Sequence, residues 1–251
     1  CLMSFGFPTE HAYKDTMEYN GMNWSRGGQQ TYAPNGREGS FGGMTGTVSA
    51  AILAGGKGPS NTTICACTEV YNGSNWTEVA DMITAAHDLT SAGNSNAANA
   101  VGGLSTTNAN LKCNQHYDGS TWSECLPAPG FHKQGASGGV SDDFIIASNN
   151  HSAPAQKGMV MRWDGMSWAN VGPGWNTERE LGNGDGTGGS ILYTGGRATP
   201  TNADVACTEV WNETSYSTGS FGKLQSTTGG TIKTDMFNLS GSTMKLPLFN
   251  D

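Results

Sequence analysis

An aromatic residue, a turn-forming pair, two further residues and a second aromatic recur five times along this chain. The copies read Tyr19-Asn-Gly-Met-Asn-Trp24, Tyr71-Asn-Gly-Ser-Asn-Trp76, Tyr117-Asp-Gly-Ser-Thr-Trp122, Trp163-Asp-Gly-Met-Ser-Trp168 and, degraded, Trp211-Asn-Glu-Thr-Ser-Tyr216. The turn steps from Gly21 to Gly73, Gly119, Gly165 and Glu213, a spacing of 52, 46, 46 and 48 residues. A period of this size marks one supersecondary unit copied until the copies bury each other.

Asn-Gly or Asp-Gly between alternating residues is the strongest short-range hairpin signal. A type I′ turn needs positive φ at both central residues, and these pairs tolerate it. Each phrase is therefore expected to be a tight β-hairpin with its aromatics on opposite strands. Six of the seven Trp and four of the seven Tyr fall at these positions. That concentration points to packing between sheets, since one aromatic buries about 150–250 Å².

Between the hairpins lies an apolar strand ending in two glycines: Ile52-Leu-Ala-Gly55-Gly56, Ala100-Val-Gly102-Gly103 and Leu192-Tyr-Thr-Gly195-Gly196. Weaker copies are Leu2-Met-Ser-Phe-Gly6, Phe144-Ile-Ile-Ala-Ser148 and Phe237-Asn-Leu-Ser-Gly241. One period thus reads strand, turn, apolar strand with Gly-Gly, loop, strand, tight turn, strand. This is the size and content of a four-stranded propeller blade. The expected fold is an all-β propeller of four-stranded antiparallel blades over residues 1–241, with 242–251 as a C-terminal tail. Five blades is the economical count, the N- and C-terminal strands closing the ring in a shared blade; six follows if that blade is incomplete.

The Gly-Gly strand end followed by a Tyr-Asp or Tyr-Asn hairpin closed by Trp resembles the kelch repeat family, over nearly the whole chain. More narrowly, Thr68-Glu-Val-Tyr-Asn-Gly-Ser-Asn-Trp-Thr-Glu-Val79, whose opening returns at Cys207-Thr-Glu-Val-Trp211, is similar to the kelch-like repeats of marine bacteriophage structural proteins. The resemblance implies a non-enzymatic virion component (tail, fibre or capsid decoration). Its partners would be other virion subunits, further copies of itself or a host-surface glycan, at a virion surface or in an extracellular setting. The competing expectation is a secreted carbohydrate-binding or carbohydrate-active propeller, a lectin or a kelch-type oxidase.

Composition narrows the classes. Only 14% of residues are charged, the net charge is −8, and the 13 basic residues form no run. Affinity for nucleic acid needs clustered Lys and Arg, so that partner is not expected. No apolar stretch approaches the roughly 18–20 residues of a membrane span. Cys67, Cys113 and Cys207 share one register in three repeats, which places them too far apart to bridge. A turn at Asp118-Gly119 would set 113 opposite 124 and leave Cys113–Cys125 as the one pair worth testing; small buried thiols are the favoured reading.

No catalytic, metal or cofactor site is expected. His11, His87, His116, His132 and His151 show no ligand spacing. Asp118-Gly-Ser-Thr-Trp122 lacks one residue of a sialidase box, and Gly182-Asn-Gly-Asp-Gly-Thr-Gly-Gly189 reads as a glycine-rich turn rather than a calcium loop. Recognition is expected on the face carrying the long connections, 57–66, 104–112, 151–158 and 197–206, because loops on a rigid scaffold carry function. Trp175, His151 and Arg197 are the candidate binding residues there. The apolar tail Met244-Lys-Leu-Pro-Leu-Phe249 either meets another subunit or folds back on the ring.

Overall fold

The computed structural model describes residues 2–4, 14–31, 43–58, 63–133, 135–147, 160–172, 179–180, 182–198, 201, 203–212 and 215–219. Every regular element among them is a strand. The N-terminal sheet holds β1 (Leu2–Ser4), β2 (Thr16–Tyr19) and β3 (Trp24–Arg26). Blade I holds β4 (Gly43–Thr47), β5 (Ala50–Ala54), β6 (Thr68–Tyr71) and β7 (Trp76–Val79). Blade II holds β8 (Thr90–Asn94), β9 (Ala97–Val101), β10 (Asn114–Tyr117) and β11 (Trp122–Cys125). Blade III holds β12 (Ala136–Val140), β13 (Asp143–Ala147), β14 (Val160–Trp163) and β15 (Trp168–Gly172). A short pair, β16 (Arg179–Glu180) with β19 (Arg197–Ala198), flanks blade IV. Blade IV is β17 (Asn183–Thr187), β18 (Ser190–Thr194), β20 (Thr208–Asn212) and β21 (Ser215–Gly219).

The molecule is a β-propeller of antiparallel meander blades, and the described residues form four of them, not the five or six expected. The five aromatic hairpins outnumber the four described blades because the first hairpin belongs to a three-stranded sheet. Thr16 opens β2 as Thr68 opens β6, so β1–β3 match β5–β7 and the counterpart of β4 is not among the described strands. The Phe237 strand end, the tail and the expected closure by the two termini lie outside the described residues.

Inner strands abut around the axis because their residues are small. The Thr45 hydroxyl of β4 donates to the Gly93 carbonyl of β8 at 3.0 Å, and the Ser137 hydroxyl of β12 to the Ser91 carbonyl at 2.5 Å. A Cβ on Gly184 of β17 would sit 2.2 Å from the Ala136 Cβ. Alternation along the strands then sends one side chain toward each neighbouring blade. Ile52, Ala98, Ala100, Tyr117 and Trp122 bury together between blades I and II. Val101, Phe144, Ile146, Met161 and Trp163 do so between II and III, and Ile145, Val160, Ile191, Tyr193 and Trp211 between III and IV. Each such large side chain contributes roughly 1.5–3 kcal/mol on leaving water.

Every inner hairpin shares a kink. Gly46, Gly93, Gly139 and Gly186 occupy the fourth position of β4, β8, β12 and β17 with φ of +114, +108, +125 and +157°. A Cβ there would lie 2.1–2.3 Å from the carbonyl oxygen of the residue opening the next strand. Only glycine fits the position.

The tight hairpins differ from the type I′ turn the sequence suggested. Positive φ is confined to Gly21, Gly73, Gly119 and Gly165, and the preceding Asn or Asp uses its side chain instead. The Asp118 carboxylate accepts the Ser120 and Thr121 N–H groups at 2.8 Å each, as Asn20, Asn72 and Asp164 do in their own turns. Those contacts hold the exposed carboxyls of Asp118 and Asp164 below the usual carboxylate range. The loop is therefore two residues longer than a two-residue turn and changes the register. Cys125 faces Asn114, and Gln115 rather than Cys113 faces Glu124. Cys113 and Cys125 are both thiols and do not bridge.

Candidate functional site

The blades divide the surface into two faces of different character. Both tight turns of a blade emerge together: a Cβ on Gly73 would meet Ser49 at 3.4 Å, and one on Gly165 would meet Asp142. The opposite face carries the connections that follow the glycine pairs. These fold back on themselves through the bridges Lys57–Ile64, Leu104–Asn110 and Arg197–Asp204. Such bracing makes the 104–110 connection, described throughout, a finger with a fixed base, and pins the described ends of the other two.

Glycine pairs set that base. Gly55, Gly56, Gly102, Gly103, Gly195 and Gly196 all have positive φ. Where the pair passes the next blade, Gly56 N–H donates to the Ala86 carbonyl at 2.8 Å and Gly103 N–H to the His132 carbonyl at 2.6 Å. A Cβ on Gly55 or Gly102 would stand 2.4 or 2.3 Å from the same oxygens, so a side chain would part the blades.

Above the glycine pair of blade II lies a dense polar group built from described residues. His87 exchanges backbone hydrogen bonds with Leu104, at 3.0 and 2.8 Å. Its imidazole lies between two oxygens: Asp88 Oδ1 is 3.3 Å from Nδ1, and Asn108 Oδ1 is 3.2 Å from Nε2. The second Asp88 oxygen is 3.5 Å from Lys133 Nζ, which belongs to the segment opening blade III. His87 and Asp88 are almost fully buried. Asp88 and Asn108 are the two described non-glycine residues with positive φ, both at +59°. A backbone conformation of that kind costs of order 1–3 kcal/mol and persists where surroundings over-determine it. Here the surroundings are the ion pair and the imidazole clasp, which fix the 104–110 finger against two blades.

His132, on the other side of Lys133, is a different case. It is only 3% exposed, and burial lowers its pKa to about 4, so the imidazole is neutral at ordinary pH. Position for position it corresponds to Ala86, through the carbonyl contacts above.

Of the candidate binding residues, Trp175 and His151 lie outside the described residues. Arg197 is half-buried in β19, opposite Glu180 in the two-residue pair with β16 and bridged on its other side to Asp204, at the base of the last finger. The structure thus does not bring Arg197 together with His87 and Asp88, whose finger rises from blade II.

The aromatic phrase residues stand directly across their strand pairs, as Tyr19–Trp24, Tyr71–Trp76, Tyr117–Trp122, Trp163–Trp168 and Trp211–Tyr216. Ring centroids of the first four pairs are 5.0–5.3 Å apart. Burial and the neighbouring Glu18 carboxylate, which accepts the Tyr71 hydroxyl, raise the Tyr71 pKa. Indole N–H groups then latch blade to blade. Trp76 donates to the Thr16 hydroxyl at 2.7 Å, Trp122 to the Thr68 hydroxyl at 3.1 Å and the Ala80 carbonyl at 3.0 Å, and Trp168 to the Leu126 carbonyl at 3.0 Å.

A second clasp escaped the sequence reading. Glu69 accepts the backbone and hydroxyl of Thr31, both at 2.6 Å, and Gln115 grips Thr84 by both its backbone groups. Both are fully buried at the second position of a third strand, and Glu209, also buried, repeats the position. A carboxylate or amide recurring at an inward position was the available signal. Among the described residues no three His, Cys, Asp or Glu side chains gather as metal ligands, and no helix is long and apolar enough to cross a membrane.

These blades, their glycine-kinked inner strands and the indole latches define the chain as a β-propeller. No protein-family model and no curated protein matches the sequence. Among solved structures, that of YjhT shares the fold at a TM-score of 0.60, covering 80% of this chain and 73% of its own, with 13% identity. At that identity the likeness concerns the fold.

Proposed function

We propose that this protein is a non-enzymatic display scaffold, a virion surface or tail component whose braced fingers contact a neighbouring subunit or a host-surface glycan. The observation that carries the reading is how the molecule distributes its side chains. The inner strands, where a propeller enzyme would converge its reactive groups, are built from Gly, Ala, Ser, Thr and Asn with single Met, Val and Asp residues, and they pack blade on blade. The investment in polar side chains goes into holding the connections on one face rigid, as at His87, Asp88, Asn108 and Lys133.

The kelch-like phrase around Thr68–Val79, similar to repeats of marine bacteriophage structural proteins, supports the same setting, as does a surface with few charges and a net charge of −8. Mass spectrometry on density-gradient-purified particles tests it. This polypeptide is expected in fixed proportion to capsid and tail proteins. Recovery free in the medium, with none on particles, would overturn the proposal and favour a secreted carbohydrate-binding propeller.

A further inference from the structure

The chain carries four Asn-Gly pairs. Asparagine is among the thermolabile residues: the backbone nitrogen that follows it can attack the side-chain amide, and a glycine there, with no Cβ, hinders the approach least. Asn20–Gly21 and Asn72–Gly73 stand in tight hairpin loops with both asparagines exposed. Asn72 Oδ1 accepts the Ser74 N–H at 3.0 Å and the Asn75 N–H at 2.9 Å, and Asn20 Oδ1 accepts the Met22 and Asn23 N–H groups at 2.9 Å each. A side chain curled over its loop in this way carries Cγ toward the nitrogen of the intervening glycine. Two fixed donors on the amide oxygen also meet the geometry of an oxyanion hole. Asn183–Gly184 is the opposite case. It is held extended in β17, where Asn183 pairs with Thr194 and Gly184 with Tyr193, and a Cβ on Gly184 would lie 2.2 Å from the Ala136 Cβ. Asn35–Gly36 lies outside the described residues.

We infer that Asn20 and Asn72 are self-modification sites, at which the folded loop promotes deamidation to aspartate. The Gly73 nitrogen gives up its proton to solvent base and bonds to Asn72 Cγ, while the amide oxygen, now negative, sits against the Ser74 and Asn75 N–H groups. The side-chain nitrogen takes up a proton and leaves as ammonia, closing a cyclic imide. Water then adds to Cγ, the bond from Cγ to the Gly73 nitrogen breaks, and that nitrogen recovers a proton. Water is consumed and ammonia released, and nothing is oxidised or reduced. Opening at the other carbonyl would insert a backbone methylene into a loop whose span is set by the Tyr71–Trp76 pair. The product's geometry already exists in the molecule. Asp118 holds the same position and accepts the Ser120 and Thr121 N–H groups at 2.8 Å, and Asp164 accepts those of Met166 at 3.0 Å and Ser167 at 2.7 Å. The same amides hold both carboxyls below the usual carboxylate range. Conversion thus makes the four Asx-capped loops alike and adds one negative charge per site to the face of the tight turns.

Peptide mapping by mass spectrometry tests this on protein held in mildly alkaline buffer, either folded or unfolded in guanidinium chloride at the same pH. The unfolded sample gives the intrinsic rate of each Asn-Gly pair. Folded protein is expected to convert Asn20 and Asn72 about ten-fold faster than unfolded protein, the effect of one hydrogen bond that strengthens as charge develops. Asn183 is expected to convert only on unfolding. The product peptide should co-elute with that of Asn72→Asp, and this variant should keep the parental urea midpoint. Conversion of Asn20 and Asn72 at the unfolded rate or slower would overturn the proposal, because the loop would then protect the amide. So would equal conversion of Asn183 in the folded protein, isoaspartate as the main folded-state product, or a lowered midpoint in Asn72→Asp.

Discussion

At Gly46, Gly93, Gly139 and Gly186 a methyl group has nowhere to go. Their positive φ and the carbonyl within 2.3 Å of a would-be Cβ make Gly93→Ala a local test of the kink. The substitution is expected to cost about 1–3 kcal/mol in urea unfolding. The same change at Gly21, where nothing lies within 4 Å, carries only the backbone strain and costs less. His132 provides a pH-dependent counterpart. Its folded-state pKa of about 4 lies below the ordinary 6.5, so the unfolded chain takes up the proton first. The stability this neutral imidazole contributes is whole above about pH 6.5 and is lost as pH falls toward 4, by about 3 kcal/mol. Urea midpoints between pH 7 and 4.5 should show the loss, and His132→Leu should flatten it. Neither feature stands out in sequence. Thirty-seven glycines conceal the four whose positive φ kinks an inner strand, and a histidine's burial depends on packing between blades that no spacing announces.

Strand pairs were more legible. The recurring aromatics located the outer hairpins correctly, because a cross-strand pair needs both residues at a fixed separation. The register beyond them was not legible, since a two-residue turn and an Asx-capped four-residue loop share the dipeptide Asp-Gly. Chemistry at the cysteines follows from that correction. Burial raises the Cys113 and Cys125 thiols above their ordinary pKa. Alkylation after unfolding without reductant should label both fully; a mass two hydrogens short on a peptide joining them would contradict the register. The latches belong to this scale too. Trp122→Phe keeps an aromatic ring but deprives the Thr68 hydroxyl and the Ala80 carbonyl of their donor, and is expected to cost about 1–3 kcal/mol by equilibrium unfolding. Trp122→Ala would add the lost packing and cost about 3–5 kcal/mol.

For the whole molecule, the repeat announced a propeller, while the described residues form four four-stranded blades because the first hairpin sits in a three-stranded sheet. Which face is braced was not legible either. The His87, Asp88, Asn108 and Lys133 clasp joins residues of two blades and one finger, and no spacing in the sequence foretells it. Charge acts at this scale as well. At −8 the molecules repel one another, and near the sequence pI of about 5.0 that repulsion vanishes where the loss of the His132 contribution has already weakened the fold. Light scattering on a pH titration should therefore rise around pH 5, and added salt should matter less there than at pH 7.

Ala86 and His132 present the same carbonyl to the same glycine of the preceding blade, so the chain crosses from blade to blade through interchangeable joints. A cut at one joint can be sealed at the other. Excising residues 86–131 would bring the His132 carbonyl to Gly56 and the Trp168 indole to the Ala80 carbonyl, contacts whose geometry already exists in the intact protein. Size in this architecture is thus adjustable in whole cassettes, by splicing at sequence positions that carry no turn.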